Sequence, residues 1–240
     1  MKIIEKITKK ASNNRGCEGI TIAFLGDSVT QGCFELYKKE SNALETIFDQ
    51  RYSYERSVAD ILALLYPSVP INTINAGISG DTTRGGLLRL ERDVLRHEPD
   101  LTVVCYGLND CGLTEDSVKI YTENLRGIFT GILEGGGELI FMTPNMMNTK
   151  ISPHLTDPDF IRIAQETKTK QSDGLFDAHI ESARCLCAEM GIPVCDCYAI
   201  WKRLDECGVN TTELLSNKIN HPTREMNKMF AYELVRTMLS

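Results

Sequence analysis

Short apolar runs alternate along this chain with longer segments in which apolar residues recur every three to four positions. The runs at 20–25, 71–75, 101–105, 138–143 and 193–197 are β-rich and of strand length. Between them the helical period predicts helices near 54–66, 83–97, 116–134 and 174–190, with a last one near 223–238. This βαβ rhythm predicts an α/β fold, with a five-stranded parallel sheet, right-handed crossovers and helices on both faces.

Turn chemistry supports those boundaries. Gly135-Gly136-Gly137 stops a helix ahead of the fourth strand, and Gly191-Ile192-Pro193 does the same ahead of the fifth. No internal repeat or low-complexity linker interrupts the pattern, so one domain is expected over 1–240, with its core at about 18–240. Two connections, 33–53 and 144–173, exceed the usual two to six residues. Both follow strand C-termini, where an open α/β sheet keeps its ligand crevice, so they are expected to form a substrate rim.

Composition narrows the function classes. With 42% hydrophobic and 25% charged residues the chain is an ordinary globular one, and no run approaches the roughly 20 apolar residues of a membrane span. The N-terminus, MKIIEKITKK, is too charged for a signal peptide, so a cytoplasmic protein is expected. The net charge of −7 is spread among bases without a basic stripe, which argues against nucleic acid as a partner. Nine cysteines, an odd number in a chain too large to need staples, read as reduced thiols. One-residue spacing in Cys185/Cys187 and Cys195/Cys197 does not suit zinc, so no metal is expected. Cys195 and Cys197 are expected to share one face of the last strand.

The candidate chemistry gathers at strand ends. The first strand runs into Gly26-Asp27-Ser28, where a glycine allows a sharp turn and a serine hydroxyl can rise above the sheet edge beside a helix N-terminus. The second ends in Asn75-Ala76-Gly77-Ile78-Ser79-Gly80-Asp81-Thr82, whose backbone N–H groups can serve as oxyanion donors, while Asp81 or Thr82 can cap the next helix. The third ends in Gly107-Leu108-Asn109-Asp110, and an Asn amide is a neutral oxyanion donor. His221, in Asn220-His221-Pro222, stands at the entry of the last helix. His97 lies in a connecting turn and His179 inside a helix, so both read as surface or packing residues. Asp27, Asn145 and His154 are candidate substrate-rim positions.

In order and context, Ser28, Gly80, Asn109 and His221 resemble the four sequence blocks of the SGNH subgroup of the GDSL esterase/lipase family, from about residue 20 to the end. The resemblance implies a three-layer α/β/α, flavodoxin-like fold and hydrolysis of esters or thioesters without a cofactor. It implies Ser28 as nucleophile, His221 as general base, and an oxyanion hole made of the Ser28 amide, the Gly80 amide and the Asn109 side chain. One position departs. The family usually carries an aspartate three residues before the histidine, and here that residue is Lys218. The orienting group for His221 is then a backbone carbonyl, a water or the Asn217 amide oxygen, with an upstream acid such as Asp205 or Glu213 as the competing reading.

A non-catalytic phosphate-binding module can also use Ser28 and Thr30 at a helix N-terminus, but it leaves Asn109 and His221 without a role. A receiver-type phosphoacceptor is a further reading, because Asp27 and Asp110 follow the first and third strands, but it wants an acidic pair after the first strand and a lysine closing the fifth, and Cys195-Asp196-Cys197-Tyr198-Ala199 offers none. Polar rim segments and the lack of a long apolar stretch point to short acyl esters of a polar or sugar-like alcohol, with thioesterase and lysophospholipase activities as alternatives within the family.

Overall fold

A computed structural model describes all 240 residues. A leading helix α1 (Lys2–Ser12) precedes β1 (Ile20–Gly26), the one-turn helix α2 (Ser28–Gln31), and a hairpin of β2 (Cys33–Lys38) and β3 (Leu44–Phe48). There follow α3 (Tyr54–Leu65), β4 (Ile71–Gly77), α4 (Thr83–Asp93), β5 (Leu101–Cys105), α5 (Ser117–Glu134) and β6 (Glu138–Met142). The chain closes with α6 (Pro158–Ser172), α7 (Leu175–Met190), β7 (Val194–Cys195), α8 (Cys197–Glu206) and α9 (Arg224–Leu239). The main sheet is parallel with order β4-β1-β5-β6-β7, and β2-β3 form a separate antiparallel pair.

β1 is an interior strand, between β4 and β5, and is buried on both faces, as its near-continuous apolar run requires. Ile20, Ile22 and Phe24 pack toward α3, α9 and α1, against Tyr54, Val58, Leu62, Phe230, Leu234, Ile3 and Ile7. Ala23 and Leu25 face the other layer, with Leu90 of α4, the α5 residues Leu125, Ile128 and Phe129, and Ala183 and Leu186 of α7. The expected α/β/α sandwich is therefore present, with all five strands where the hydrophobic period put them. The register aligns Gly26 of β1 with Gly77 of β4 and with Cys105 of β5. Residues just beyond those three positions consequently emerge together on one edge.

Some expectations need correction. Only Val194 and Cys195 form the last strand, because the Asp196 side chain accepts from the Ala199 amide and starts α8 at Cys197. The two thiols still lie 3.7 Å apart. Within the segment 33–53, residues 33–48 form a hairpin turned at Asn42 in the left-handed region (φ 61°), followed by a 3-10 turn at Gln50–Tyr52. Within 144–173, a stretch of irregular chain leads to α6, whose first turn is capped by Asp157. Lys38 of the hairpin pairs with Asp157 and Asp159 at 2.9 and 2.7 Å, which joins the two long segments.

Candidate active site

The turn after β1 is built by close approach. A Cβ on Gly26 would come within 2.6 Å of the Cys105 carbonyl, and one on Gly77 would collide with the Gln31 backbone. With both positions bare, the chain turns over the sheet edge and Asp27 caps α2, its Oδ1 accepting from the Val29 amide at 2.9 Å. Ser28 is the first helical residue, so its amide belongs to the N–H groups that a helix start leaves without an intrahelical acceptor.

The two candidate oxyanion donors beyond Ser28 stand in the turns after β4 and β5. In the β4 turn the Ile78 amide donates to the Gly26 carbonyl, Ser79 to the Gln31 side chain and Asp81 to the Ile78 carbonyl. The Gly80 amide between them makes no hydrogen bond within the protein, and Gly80 is exposed with φ at +77°. Asn109 Nδ2 donates to the Asp81 carbonyl at 2.9 Å, which uses one of its two N–H groups and leaves the other. Neither Asp81 nor Thr82 caps α4 with its side chain. That task falls to Asp110, whose Oδ1 accepts from the Thr83 amide at 2.9 Å, while Asp81 Oδ2 takes Arg89 Nε and the Tyr106 hydroxyl.

Arg89 escaped the sequence reading. Its buried guanidinium donates to the Gly26 and Ala76 carbonyls at 3.0 and 2.7 Å, besides Asp81. One side chain thereby ties the turn that carries Ser28 to the turn that carries Gly80. Gly86, one helical turn earlier, leaves room for the Tyr106 ring that shares this network. A sequence shows an arginine on an amphipathic helix but not that it is buried, so only the unusual Gly-Gly start of α4 signalled a close approach.

His221 enters from the far end of the chain. The loop before α9 is folded by Asn217, whose Oδ1 accepts from the amides of Ile219, Asn220 and His221 at 3.0, 2.9 and 2.9 Å. Asn145 Nδ2 holds the Asn220 carbonyl at 2.8 Å. The ring so placed has Nε2 2.9 Å from Ser28 Oγ and Nδ1 2.8 Å from the Phe34 carbonyl oxygen. A carbonyl only accepts, so Nδ1 carries the proton and Nε2 is free to accept from the serine. Both side chains are nearly buried, at 4% exposure for Ser28 and 5% for His221. Burial pushes the His221 pKa down to about 4, against the raising effects of the Phe34 carbonyl and the Glu35 carboxylate.

Several candidate positions fall elsewhere. Asn217 spends its oxygen on backbone amides, so it shapes the loop without orienting the ring. Glu213 pairs with Lys218 at 2.9 Å and accepts from Ser152, and Asp205 accepts from Thr211; neither bonds to His221. Asp27 is not on a rim. It is fully buried, and burial first, with repulsion from Asp110 and Asp81 adding, raises its carboxyl to about 7. Asn145 is likewise buried beneath the histidine loop. His154 is exposed and lines a cleft of about 310 Å³ with Glu35, Phe160, Asn217 and Lys218. His97 is exposed, and His179 is buried against Tyr121.

The comparisons agree with this geometry. An arylesterase of Vibrio mimicus is 39% identical over 80 residues, covering 33% of this chain and 40% of that protein. An acetylxylan esterase of Geobacillus stearothermophilus is 32% identical over 92 residues, covering 38% of this chain and 40% of the relative. The matched stretches thus span about two fifths of these curated relatives. A solved structure of a catalytic mutant of an acetylxylan esterase from Geobacillus stearothermophilus shares the fold, with a TM-score of 0.66 at 19% identity over 92% of this chain and 94% of that one. The model of the GDSL-like Lipase/Acylhydrolase family matches residues 24–229, a stretch that contains Ser28, Gly80, Asn109 and His221. That match covers most of the chain and every strand-end element described above, and the protein therefore belongs to the GDSL-like lipase/acylhydrolase family.

Proposed function

We propose that the protein is a serine carboxylic ester hydrolase that removes short acyl groups, acetyl above all, from a carbohydrate or other polar alcohol. The observation that carries this reading is the 2.9 Å contact between Ser28 Oγ and His221 Nε2, two residues 193 positions apart. In the first half-reaction His221 Nε2 takes the Ser28 proton as Oγ attacks the ester carbonyl. The Ser28 and Gly80 amides and the second Asn109 N–H face the developing oxyanion. The intermediate collapses to an acyl-serine, and His221 returns its proton to the departing alcohol. Water then attacks the acyl carbonyl, giving a proton to His221, and the acid leaves as Ser28 regains its own. Throughout, the Phe34 carbonyl holds the Nδ1–H and so keeps Nε2 in the tautomer that accepts.

The substrate preference rests on the polar cleft beside the histidine loop and on relatives named as an arylesterase and an acetylxylan esterase. Charges lining the cleft are already paired, Glu35 with Arg224, Asp157 with Lys38 and Lys218 with Glu213, which suits a neutral polyol better than an ionic group. Nine free cysteines fit a reducing compartment, and the proposed setting is the cytoplasm. No helix is long and apolar enough to cross a membrane. An acyl-length series on aryl esters, run beside acetylated sugars, tests the reading. Acyl chains of two to four carbons should turn over faster than chains of eight or more, and acetate should be released from the sugars. Equal or better turnover of a long-chain ester below its micelle concentration would overturn it.

A further inference from the structure

We propose that Arg224 is a positioning residue for the catalytic base: by clamping the β2-β3 hairpin to the start of α9, it holds the Phe34 carbonyl against His221. The proposal rests on the Ser28–His221 reading above. Arg224 Nη1 and Nη2 grip the two Glu35 carboxylate oxygens at 2.6 and 3.1 Å, and Nε reaches Asp49 Oδ2 at 3.3 Å. The same guanidinium lies over the Phe34 ring, 4.3 Å from its centroid, and 5.8 Å from that of Tyr52. One side chain therefore touches both residues flanking the Phe34–Glu35 peptide and both ends of the hairpin.

A physical reason for such a clamp follows from the orienting group. A carboxylate side chain can rotate to follow an imidazole, whereas a backbone carbonyl sits wherever its strand sits. β2 pairs only with β3 and has no backbone ladder to the five-stranded sheet, so beyond its short covalent link to α2 through Gly32 its placement depends on side-chain anchors. Arg224 lies three residues after His221, beyond the Thr223 cap, so the ring and the guanidinium ride on one rigid unit, while Phe34 and Glu35 ride on the other. A cation in the first turn of a helix opposes the helix dipole, which makes the position unfavourable without its acidic partners. The bidentate, stacked geometry is one that arginine supplies and lysine does not.

The test compares Arg224→Ala, Arg224→Lys and Glu35→Gln with the unaltered protein on p-nitrophenyl acetate, with melting temperatures recorded alongside. A displaced orienting carbonyl should lower kcat about 10- to 100-fold in Arg224→Ala with KM changed less than about threefold. Arg224→Lys and Glu35→Gln should fall between, and millimolar guanidinium should restore part of the kcat of Arg224→Ala. An unchanged kcat in folded Arg224→Ala, or a loss that guanidinium does not relieve, overturns the proposal. Should Arg224→Ala fail to fold, Glu35→Gln decides, since its side chain is 38% exposed; a kcat equal to that of the unaltered protein then overturns the clamp. Ser28→Ala run in parallel separates the two levels. Activity surviving in that variant defeats the hydrolase reading itself, whereas an inert Ser28→Ala beside a fully active Arg224→Ala defeats the clamp alone.

Discussion

His221 Nδ1 donates to the carbonyl oxygen of Phe34 at 2.8 Å, across 187 residues of sequence. A carbonyl dipole fixes the ring's tautomer as a carboxylate would, but brings no full negative charge to offset an imidazolium. In a serine protease, making the triad acid a neutral amide costs roughly 10⁴ in rate, because the amide leaves the ring in the wrong tautomer. Here the tautomer is right, so the proposed Ser28–His221 dyad should escape most of that penalty.

The dyad predicts unequal mutants. His221→Ala should lose at least about 10³ in kcat, whereas alanine at Asp205, Glu206 or Glu213 should cost less than about tenfold. Steady-state kinetics on folded variants checks this, and one acid mutant matching His221→Ala would restore a triad.

The buried ring also sets the acid limb of activity. With its pKa held to about 4, His221 is a free base at every pH well above that value. kcat/KM followed by pH-stat should stay level from pH 8 to about pH 5 and reach half its plateau near pH 4. A midpoint at or above the ordinary 6.5 would mean that a full negative charge does stabilise the imidazolium.

Asn109→Ala should lower kcat by about 10²–10³ with a smaller change in KM, since a donor aimed at the oxyanion acts mainly on the transition state. Its bond to the Asp81 carbonyl adds a structural cost. If that cost were the whole effect, the folded fraction would keep its kcat while the melting temperature fell.

Asp27 makes a stability prediction. Its pKa is about 7 folded and near 3.8 unfolded, so the folded state holds this proton more tightly and the group's contribution is lost as pH rises from about 4 to 7. Asp27→Asn keeps the cap acceptor without the charge. The melting temperature of the variant relative to the unaltered protein should therefore climb over that window and level off above it. A gap independent of pH would show that Asp27 ionises freely.

Strand positions were legible because each run is apolar, short and followed by turn residues. Ser28, Gly80, Asn109 and His221 were legible because each stands in a turn that leaves a strand or enters a helix. A backbone carbonyl was among the orienting groups the missing aspartate left open, but which carbonyl was not legible, since any residue can supply one and nothing in Cys33-Phe34-Glu35 marks one as special. The hairpin was hidden for a related reason: its turn uses Asn42 rather than a glycine pair, and its strands are only partly buried. Arg89 and Arg224 were invisible as staples because their partners are carbonyls and carboxylates from distant segments. Asp27 and Asn145 looked like rim residues by their loop positions, and burial made them supports instead.

In the proposed reaction Ser28 carries the acyl group. Intact-mass measurement after treatment with a fluorophosphonate, with peptide mapping, should show one adduct on Ser28, and Ser28→Ala should lose both the adduct and the turnover of p-nitrophenyl acetate. An adduct on another residue, or full activity in Ser28→Ala, would show that Ser28 is not the nucleophile.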